Sequence, residues 1–230
     1  VGINMATCTG GLCAFNYIHD FTDNTDWTTL GGSPNLTGVE IDNDTVNTVG
    51  SAGLIVAGNT IHDLTVGATF FAAHGYQTDG INTNKYTATR CIIANNRIKN
   101  VSEGIDHYGT HCAIFGNTIT NTFNFGLKFI HGAAHNSVYG NTIVNGGLAS
   151  ITLDGSDSVG VGDTRGNNIF GNVCKGINQD SYWSATTDAA CILTFPDAAK
   201  TYKVVNNLIH DNYLDPSGGQ YGVRRLSTGP

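Results

Sequence analysis

The stretch Ile114-Phe-Gly-Asn117-Thr-Ile119 returns 24 residues later as Val138-Tyr-Gly-Asn141-Thr-Ile143. Related stretches occur along the whole chain, each centred on an asparagine: Asn16, Asn59, Asn96, Asn117, Asn141, Asn172 and Asn207. The most closely spaced of these asparagines are 21 and 24 residues apart. A repeat of this length predicts stacked structural units, because one such unit is too small to bury its own apolar residues.

Alignment on the asparagine produces columns of uniform character. The third residue before it is Val, Ile or Cys, and the second residue after it is Ile in every repeat except that of Cys174. A second marker, Gly followed by Ile, Leu or Val, recurs between the asparagines, as at Gly80, Gly104 and Gly126. Each period therefore holds short β-branched strands separated by turns. We predict an all-β fold, a single-stranded right-handed parallel β-helix (solenoid) of about ten coils with a ladder of stacked asparagines.

The composition excludes several classes of partner. A formal net charge of −7 with only 13% charged residues argues against nucleic acid, which requires a basic surface. No apolar run approaches membrane-spanning length, so no membrane partner is expected. The chain of 230 residues begins at Val1 and is expected to be one β-helix domain, 1–230, excised from a longer chain. Loop insertions are predicted near 20–37, 64–78, 154–165 and 181–197.

The cysteines follow the same columns. Cys13 and Cys174 take the place of core Val or Ile residues, and Cys91 and Cys112 share one column on adjacent coils. The last two are either free apolar thiols or a disulfide. Because the cysteine spacing matches no zinc motif, we expect neither a metal nor a cofactor.

A polar stripe beside the Gly marker contains the candidate site. The outward column of these strands is predicted to be Glu40, Asn82, Asp106, Lys128 and Ala149. Clustered titratable groups shift one another's pKa values, as active sites require. The predicted catalytic residues are Asp79, Asp106, Tyr108, His111 and Lys128. The predicted substrate-binding residues are Glu40, Asn82, Arg90, Glu103, His135 and Tyr76. A simpler interpretation is a surface ion pair of Asp106 with Lys128, and His107 is predicted to point into the core.

The repeat pattern resembles the pectate-lyase-like superfamily of parallel β-helices over nearly the whole chain. The stretch His74-Gly-Tyr-Gln-Thr-Asp79-Gly80-Ile81 is similar to the His-x-Asp-Gly-Ile elements of these proteins. Gly104-Ile105-Asp106-His107-Tyr108 is loosely similar to the Gly-Phe-Asp-Pro-His segment of alginate epimerases. The resemblance implies a polysaccharide substrate and a location outside the cell or on a virion surface. It implies a homotrimer if the chain is a spike, with outward apolar residues such as Ile130, Ile151 and Leu153 either at the contact or under a packed loop.

Three functions are compatible with the stripe. In a lyase or C5-epimerase, Lys128 or Arg90 would neutralise a uronate carboxylate while Tyr108 or His111 moves the proton. In a tailspike-like hydrolase, two carboxylates would flank the glycosidic bond. Asp79 with Glu103 would lie about 5 Å apart on adjacent coils, and Glu40 with Asp106 about 9.5 Å apart. The third function is a non-catalytic spike or fibre segment that binds glycan or only spaces other domains.

Overall fold

The computed structural model describes residues 1–23, 36–42, 50–66, 78–83, 88–155, 162–177, 188–195, 200–218 and 221–226. Within these ranges the chain forms 22 β-strands and no helix, so no described helix could cross a membrane. Large parts of the four predicted insertions lie outside the described residues.

The strands, numbered in chain order, lie in three sheets. The first sheet contains β1 (Ile3–Ala6), β3 (Tyr17–Asp23), β4 (Leu36–Asp42), β6 (Thr60–Val66), β7 (Thr78–Thr83), β9 (Arg97–His107), β11 (Thr118–Phe129), β13 (Thr142–Gly146), β14 (Ala149–Asp154), β17 (Val173–Ile177), β18 (Ala190–Phe195), β21 (Tyr213–Asp215) and β22 (Tyr221–Arg225). The second contains β2 (Thr9–Ala14), β5 (Ala52–Ala57), β8 (Ile92–Ala94), β10 (Ala113–Phe115), β12 (Ser137–Tyr139), β16 (Asn168–Phe170) and β20 (Leu208–His210). The third pairs β15 (Thr164–Arg165) with β19 (Val204–Val205).

Neighbouring strands are parallel and come from successive repeats, which is the arrangement of a parallel β-solenoid. Strand β9 pairs in parallel with β7 and β11, and β10 pairs in parallel with β8 and β12. The core lies between the sheets and contains the predicted apolar columns, including Ile98, Ile119 and Ile143, all at most 1% exposed. The all-β, parallel part of the predicted fold is therefore confirmed.

The predicted asparagine ladder is present and buried. Each side chain donates from Nδ2 to Oδ1 of the next asparagine, with N···O distances of 2.9 Å from Asn59 to Asn96, Asn96 to Asn117, and Asn117 to Asn141. Each Oδ1 also accepts a backbone N–H from the preceding rung, as Asn117 does from Asn96 at 3.0 Å. The glycine before the asparagine has a left-handed φ, 65° at Gly116, which explains why that position favours glycine. The asparagines thus satisfy buried turn groups and are structural.

The structure corrects the end of this ladder. Asn172 donates to Asn212 at 2.9 Å, not to Asn207. Asn207 instead closes a second ladder, five residues earlier in each coil, where Asn136 donates to Asn167 and Asn167 to Asn207 at 2.9 and 2.8 Å. An Asn-x4-Asn spacing recurs in these three repeats, and it is the sequence signal for the second ladder.

The Gly marker has a steric cause. A Cβ on Gly104 would lie 2.6 Å from Ile119 Cγ2 and 2.5 Å from the backbone oxygen of Gly126. In the next coil Ser150 stands opposite Gly126, because Leu127 pairs with Ile151. The predicted marker Gly147-Leu148 is therefore out of register by three residues.

That register shift changes two predictions. Lys128 pairs with Thr152 rather than Ala149, so Thr152 continues the outward column and Ala149 lies beside Phe125. Ile151 and Leu153 are fully buried core residues, and Ile130 is buried as well, so none of the three forms an outward contact surface. The predicted outward orientation of these three residues is therefore wrong.

The cysteines occupy the predicted core columns. All six are free thiols, including Cys91 and Cys112. The backbone N–H of Cys91 donates to Cys112 Sγ at 3.3 Å, and the N–H of Cys112 donates to Asn136 Oδ1 at 2.8 Å. Cys112 Sγ therefore takes the acceptor role that asparagine has in the second ladder.

Candidate functional site

Three buried carboxylates lie together on β7 and β9, and we refer to Asp79, Glu103 and Asp106 as the carboxylate cluster. Asp79 pairs in register with Glu103, and Asn82 pairs with Asp106. Each side chain offers one oxygen within 4.8 Å of the others. The three residues are 1%, 3% and 0% exposed. The predicted approach of Asp79 and Glu103 is thus observed, with Asp106 as a third member.

Each carboxylate of the cluster has a polar partner. Lys128 Nζ lies 3.0 Å from Glu103 Oε2 and 3.4 Å from Asp106 Oδ2. The Tyr108 hydroxyl donates to Asp106 Oδ2 at 2.5 Å, and Asn82 Nδ2 donates to Asp79 Oδ2 at 3.0 Å. The predicted ion pair of Asp106 with Lys128 is therefore present, and Lys128 also binds Glu103.

Two oxygens of the cluster lack a hydrogen-bond partner. Asp79 Oδ1 and Asp106 Oδ1 are buried, and no group of the described residues donates to either. A buried acceptor without a donor costs about 1–3 kcal/mol, more when it is charged. Oxygens left in this state are available to a proton or to a donor on a ligand.

The electrostatics of the cluster favour bound protons. Burial raises the pKa of Asp79 well above its ordinary value, and the charges of Asp106 and Glu103 raise it further. Burial also raises the pKa of Glu103 to about 7, with Lys128 lowering it and Asp106 raising it. A carboxyl group with a pKa near 7 can both donate and accept a proton at neutral pH.

The two side chains that contact the cluster, Lys128 and Tyr108, keep their protons at neutral pH. Burial lowers the pKa of the Lys128 ammonium, but the adjacent Asp106 and Glu103 outweigh burial and raise it well above its ordinary value. Burial and the Asp106 carboxylate raise the pKa of the Tyr108 hydroxyl. Lys128 is therefore a fixed cation and Tyr108 a fixed hydrogen-bond donor.

His107 lies behind the cluster and points into the core, as predicted. It is 0% exposed, and burial lowers its pKa to about 4, so the ring is neutral at pH 7. Its Nδ1 lies 3.1 Å from Thr83 Oγ1, which also accepts the backbone N–H of Tyr108 at 2.9 Å. Thr83 thus connects the core histidine to the backbone that positions Tyr108.

The structure places Arg90, His111 and His135 in a different part of the coil. They occupy left-handed turns, with φ of 54°, 57° and 58°, just before the strands of the second sheet. All three are exposed, and the rings of His111 and His135 stack at 5.1 Å. Within the described residues no hydrogen bond or ion pair joins them to the carboxylate cluster. Their catalytic or binding roles stay predictions.

The remaining predicted residues lie beside the cluster or outside the described chain. Glu40 pairs with Asn82, which pairs with Asp106, so Glu40 lies two strands from Asp106 as the register predicts. Burial, and then the charge of Asp42, raise the pKa of Glu40. Tyr76 lies outside the described residues. Thr152, which the sequence reasoning missed, is 1% exposed beside Lys128, and its hydroxyl has no partner among the described residues. The 24-residue step from Lys128 is the signal that could have found it.

The donor set of the cluster is that of a hard cation, since three carboxylates could offer oxygen ligands. The Lys128 ammonium already lies within 3.4 Å of two of these carboxylates and supplies positive charge there. A cation at this site would have to compete with a side chain of the protein itself.

No family model, no curated protein and no solved structure matches this chain. The resemblance to the pectate-lyase-like superfamily stays a prediction from the repeat and its motifs.

Proposed function

We propose that the chain is a right-handed parallel β-helix of about ten coils that cleaves a polysaccharide by hydrolysis at the carboxylate cluster. The proposed substrate is an acidic polysaccharide of a microbial surface. The proposed setting is a tailspike-like depolymerase outside the cell or on a virion, assembled as a homotrimer.

The observation that supports hydrolysis is the close approach of carboxylates with different environments. Oxygens of Glu103 and Asp106 lie within 4.8 Å of one another. Retaining glycosidases hold their two carboxyl groups about 5 Å apart, which is close enough for one to act as nucleophile. The raised pKa of Glu103, about 7, suits a general acid. Asp106, held by Tyr108 and Lys128, suits the nucleophile.

The proposed reaction has two steps. Glu103 donates its proton to the glycosidic oxygen while Asp106 Oδ1 attacks the anomeric carbon, so that the leaving sugar departs as an alcohol. Glu103, now a carboxylate, takes a proton from water, and the hydroxide replaces Asp106 at the anomeric carbon. Asp106 Oδ1 has no hydrogen-bond partner among the described residues, so it would give up no hydrogen bond in forming this bond.

The same contacts disfavour the lyase and epimerase alternatives. Those reactions need a cation for the uronate carboxylate, and Lys128 already faces two carboxylates of the protein. They also need a base, and the pKa of Tyr108 is raised rather than lowered. His111, the other candidate base, makes no described contact with the cluster.

The test is incubation of the protein with a panel of acidic and neutral polysaccharides. Hydrolysis gives new reducing ends without the ultraviolet absorbance of an unsaturated uronate, and Glu103→Gln and Asp106→Asn should abolish it. Both variants should be checked for wild-type circular dichroism, since Asn and Gln keep the shape of the side chains. Unsaturated products would contradict the hydrolase, and unchanged polymers across the panel would contradict an enzyme.

A second candidate, a non-catalytic spike segment, is favoured by the burial of the cluster. Asp106 is 0% exposed, and the Lys128 side chain is 12% exposed. In this alternative the hydrogen bonds and ion pairs between Lys128 and the carboxylate cluster only fix the register of β7, β9 and β11. Wild-type protein that binds a glycan of the panel without releasing reducing ends would support it.

A further inference from the structure

A second polar surface lies at the opposite end of β9 from the carboxylate cluster. It consists of the outward side chains of three adjacent strands, β6, β9 and β11, and we refer to it as the basic face. Its members are Thr60, His62, Arg97, Lys99, Thr118 and Thr120. Arg97 pairs with Thr60 on one side and Thr118 on the other, and Lys99 pairs with His62 and Thr120.

The basic face is concave and carries two cations without an ion partner. All six side chains line a surface depression of about 370 Å³. Arg97 and Lys99 are exposed, and no carboxylate of the described residues lies within 4.0 Å of either cation. Threonine hydroxyls flank Arg97 on both sides, and His62 and Thr120 flank Lys99, so charge and hydrogen-bond donors lie together on one small area.

One acid, Asp63, also lines the depression, and both of its oxygens are engaged by neighbours. Asp63 Oδ2 lies 2.6 Å from His62 Nδ1, and Asp63 Oδ1 accepts from Asn100 Nδ2 at 2.5 Å. These two hydrogen bonds lower the pKa of Asp63, with a smaller contribution from Lys99. Neither hydrogen bond of Asp63 goes to Arg97 or Lys99, so this acid holds neither cation in an ion pair.

One end of the face adds an aromatic surface. Tyr17 stands next to Thr60 in the same column and is 65% exposed. Its hydroxyl lies 2.9 Å from His62 Nε2, which holds the ring against His62, two strands away from Arg97. An exposed ring at the end of a surface with cations and hydroxyls adds an apolar platform to donors for anionic oxygens.

We propose that the basic face binds an acidic polysaccharide through its carboxylate or sulfate groups, separately from the carboxylate cluster. Arg97 offers a bidentate fork to such a group, and Lys99 offers a second charge two residues along the strand, about 7 Å away. The threonines and Tyr17 contact the sugar rings on either side. The inference rests on the proposed function for the class of polymer and does not require that the protein cleave it.

A nucleic acid fits this surface less well. Its phosphates need many cations, whereas the face offers two, beside Asp63 and on a chain with a net charge of −7. An acidic polysaccharide places hydroxyl groups and apolar ring faces between its charged groups, which matches a surface where two cations lie near Thr and Tyr side chains.

The test measures binding of two hexasaccharides, one of galacturonate and one heparin-derived, with methyl-esterified hexagalacturonate as the uncharged probe. Calorimetry with the full chain carrying Asp106→Asn keeps the probes intact. We expect at least one anionic probe to bind, with the esterified probe much weaker. In that background Arg97→Gln with Lys99→Gln should weaken binding about tenfold, as expected for two partly exposed charge contacts. The charge-matched control, Arg165→Gln with Arg225→Gln, removes two exposed cations elsewhere and should leave affinity unchanged.

The outcomes separate the two proposals. Charge-dependent binding that needs Arg97 and Lys99 supports the basic face even if no polysaccharide is cleaved, a result that would contradict only the hydrolase. Equal affinity in both double variants, or failure of both anionic probes, overturns the basic face. The choice of polymer is overturned if a single-stranded oligonucleotide binds more tightly than either glycan and if the Arg97→Gln, Lys99→Gln variant loses that binding.

Discussion

Removal of one rung of the buried ladder by Asn117→Ala should strongly destabilise the chain. Asn117 Oδ1 accepts the backbone N–H and the Nδ2 group of Asn96 at 3.0 and 2.9 Å. Asn117 Nδ2 donates to the oxygen of Ile93 at 3.0 Å and to Asn141 Oδ1 at 2.9 Å. Alanine would leave several buried groups unpaired, each costing about 1–3 kcal/mol. Because losses in one network are not additive, we expect a total of about 3–5 kcal/mol.

The matched control is Asn121→Gly on the exposed ladder of the same coil. Asn121 has a φ of 55° and exposed hydrogen bonds to Asn100 and Asn145 at 3.1 and 3.0 Å. Glycine tolerates that φ, and Gly176 occupies the corresponding position of a later coil. The expected cost is below about 1 kcal/mol, because water replaces the exposed bonds.

The assay is urea unfolding followed by far-ultraviolet circular dichroism, with native-state hydrogen exchange at the amide of Asn96. In Asn117→Ala that amide loses its acceptor and should exchange faster, whereas Asn121→Gly should leave it protected. An Asn117→Ala variant within about 1 kcal/mol of wild type, or equal costs for the two variants, would refute the reasoning.

Three further predictions concern the Gly marker and the carboxylate cluster. Gly104→Ala should lower the free energy of unfolding in urea by about 1–3 kcal/mol, because the new Cβ would meet Ile119 and the backbone oxygen of Gly126. An unchanged unfolding midpoint would contradict this steric explanation of the Gly marker. Glu103 has a folded pKa raised from 4.5 to about 7, so its contribution to stability is complete below pH 4.5 and is lost as pH rises through 7. Glu103→Gln should flatten the dependence of the unfolding free energy on pH in that range, and an unchanged slope would contradict the raised pKa. Lys128→Met should destabilise by about 3–5 kcal/mol at pH 8 and by less at pH 5, where Asp79 and Glu103, whose pKa values are raised, can take up protons. Equal losses at both pH values would exclude the ion network.

The columns of the fold could be predicted from the sequence because burial and turn geometry restrict each position to a few residue types. Asn96, Asn117 and Asn141 hydrogen-bond as the spacing predicts, and Ile98 and Ile119 lie in the core. Such positions repeat in every coil, so each repeat is an independent observation of the same constraint.

The strand register predicted from the repeat is wrong in coils where another residue type takes the place of the marker glycine or asparagine. Ser150 takes the glycine position of its coil, and the nearby Gly147 satisfies the pattern three residues too early. Likewise Asn207 and Asn212 both fit an asparagine column, and only hydrogen bonding shows that Asn212 follows Asn172. A repeat pattern with two candidate residues a few positions apart does not fix the register.

The candidate site could be predicted in part. Asp79, Glu103, Asp106 and Lys128 meet because they occupy neighbouring columns on adjacent strands. A column position gives the rung of a residue but not its angle around the coil, so Arg90, His111 and His135 were grouped with the cluster although they lie in turns before the second sheet. The burial of Asp106 and the orphaned oxygens depend on tertiary packing, which the repeat does not encode.

The most direct test of the proposed hydrolase is the anomeric configuration of the first product, followed by proton NMR during cleavage of a susceptible polysaccharide. Carboxylates with oxygens within 4.8 Å of one another predict that the wild-type protein releases reducing ends with retained configuration, and that Asp106→Asn releases none. Inverted product, an unsaturated uronate, or undiminished cleavage by Asp106→Asn would contradict the assignment of the carboxylate cluster as the catalytic site.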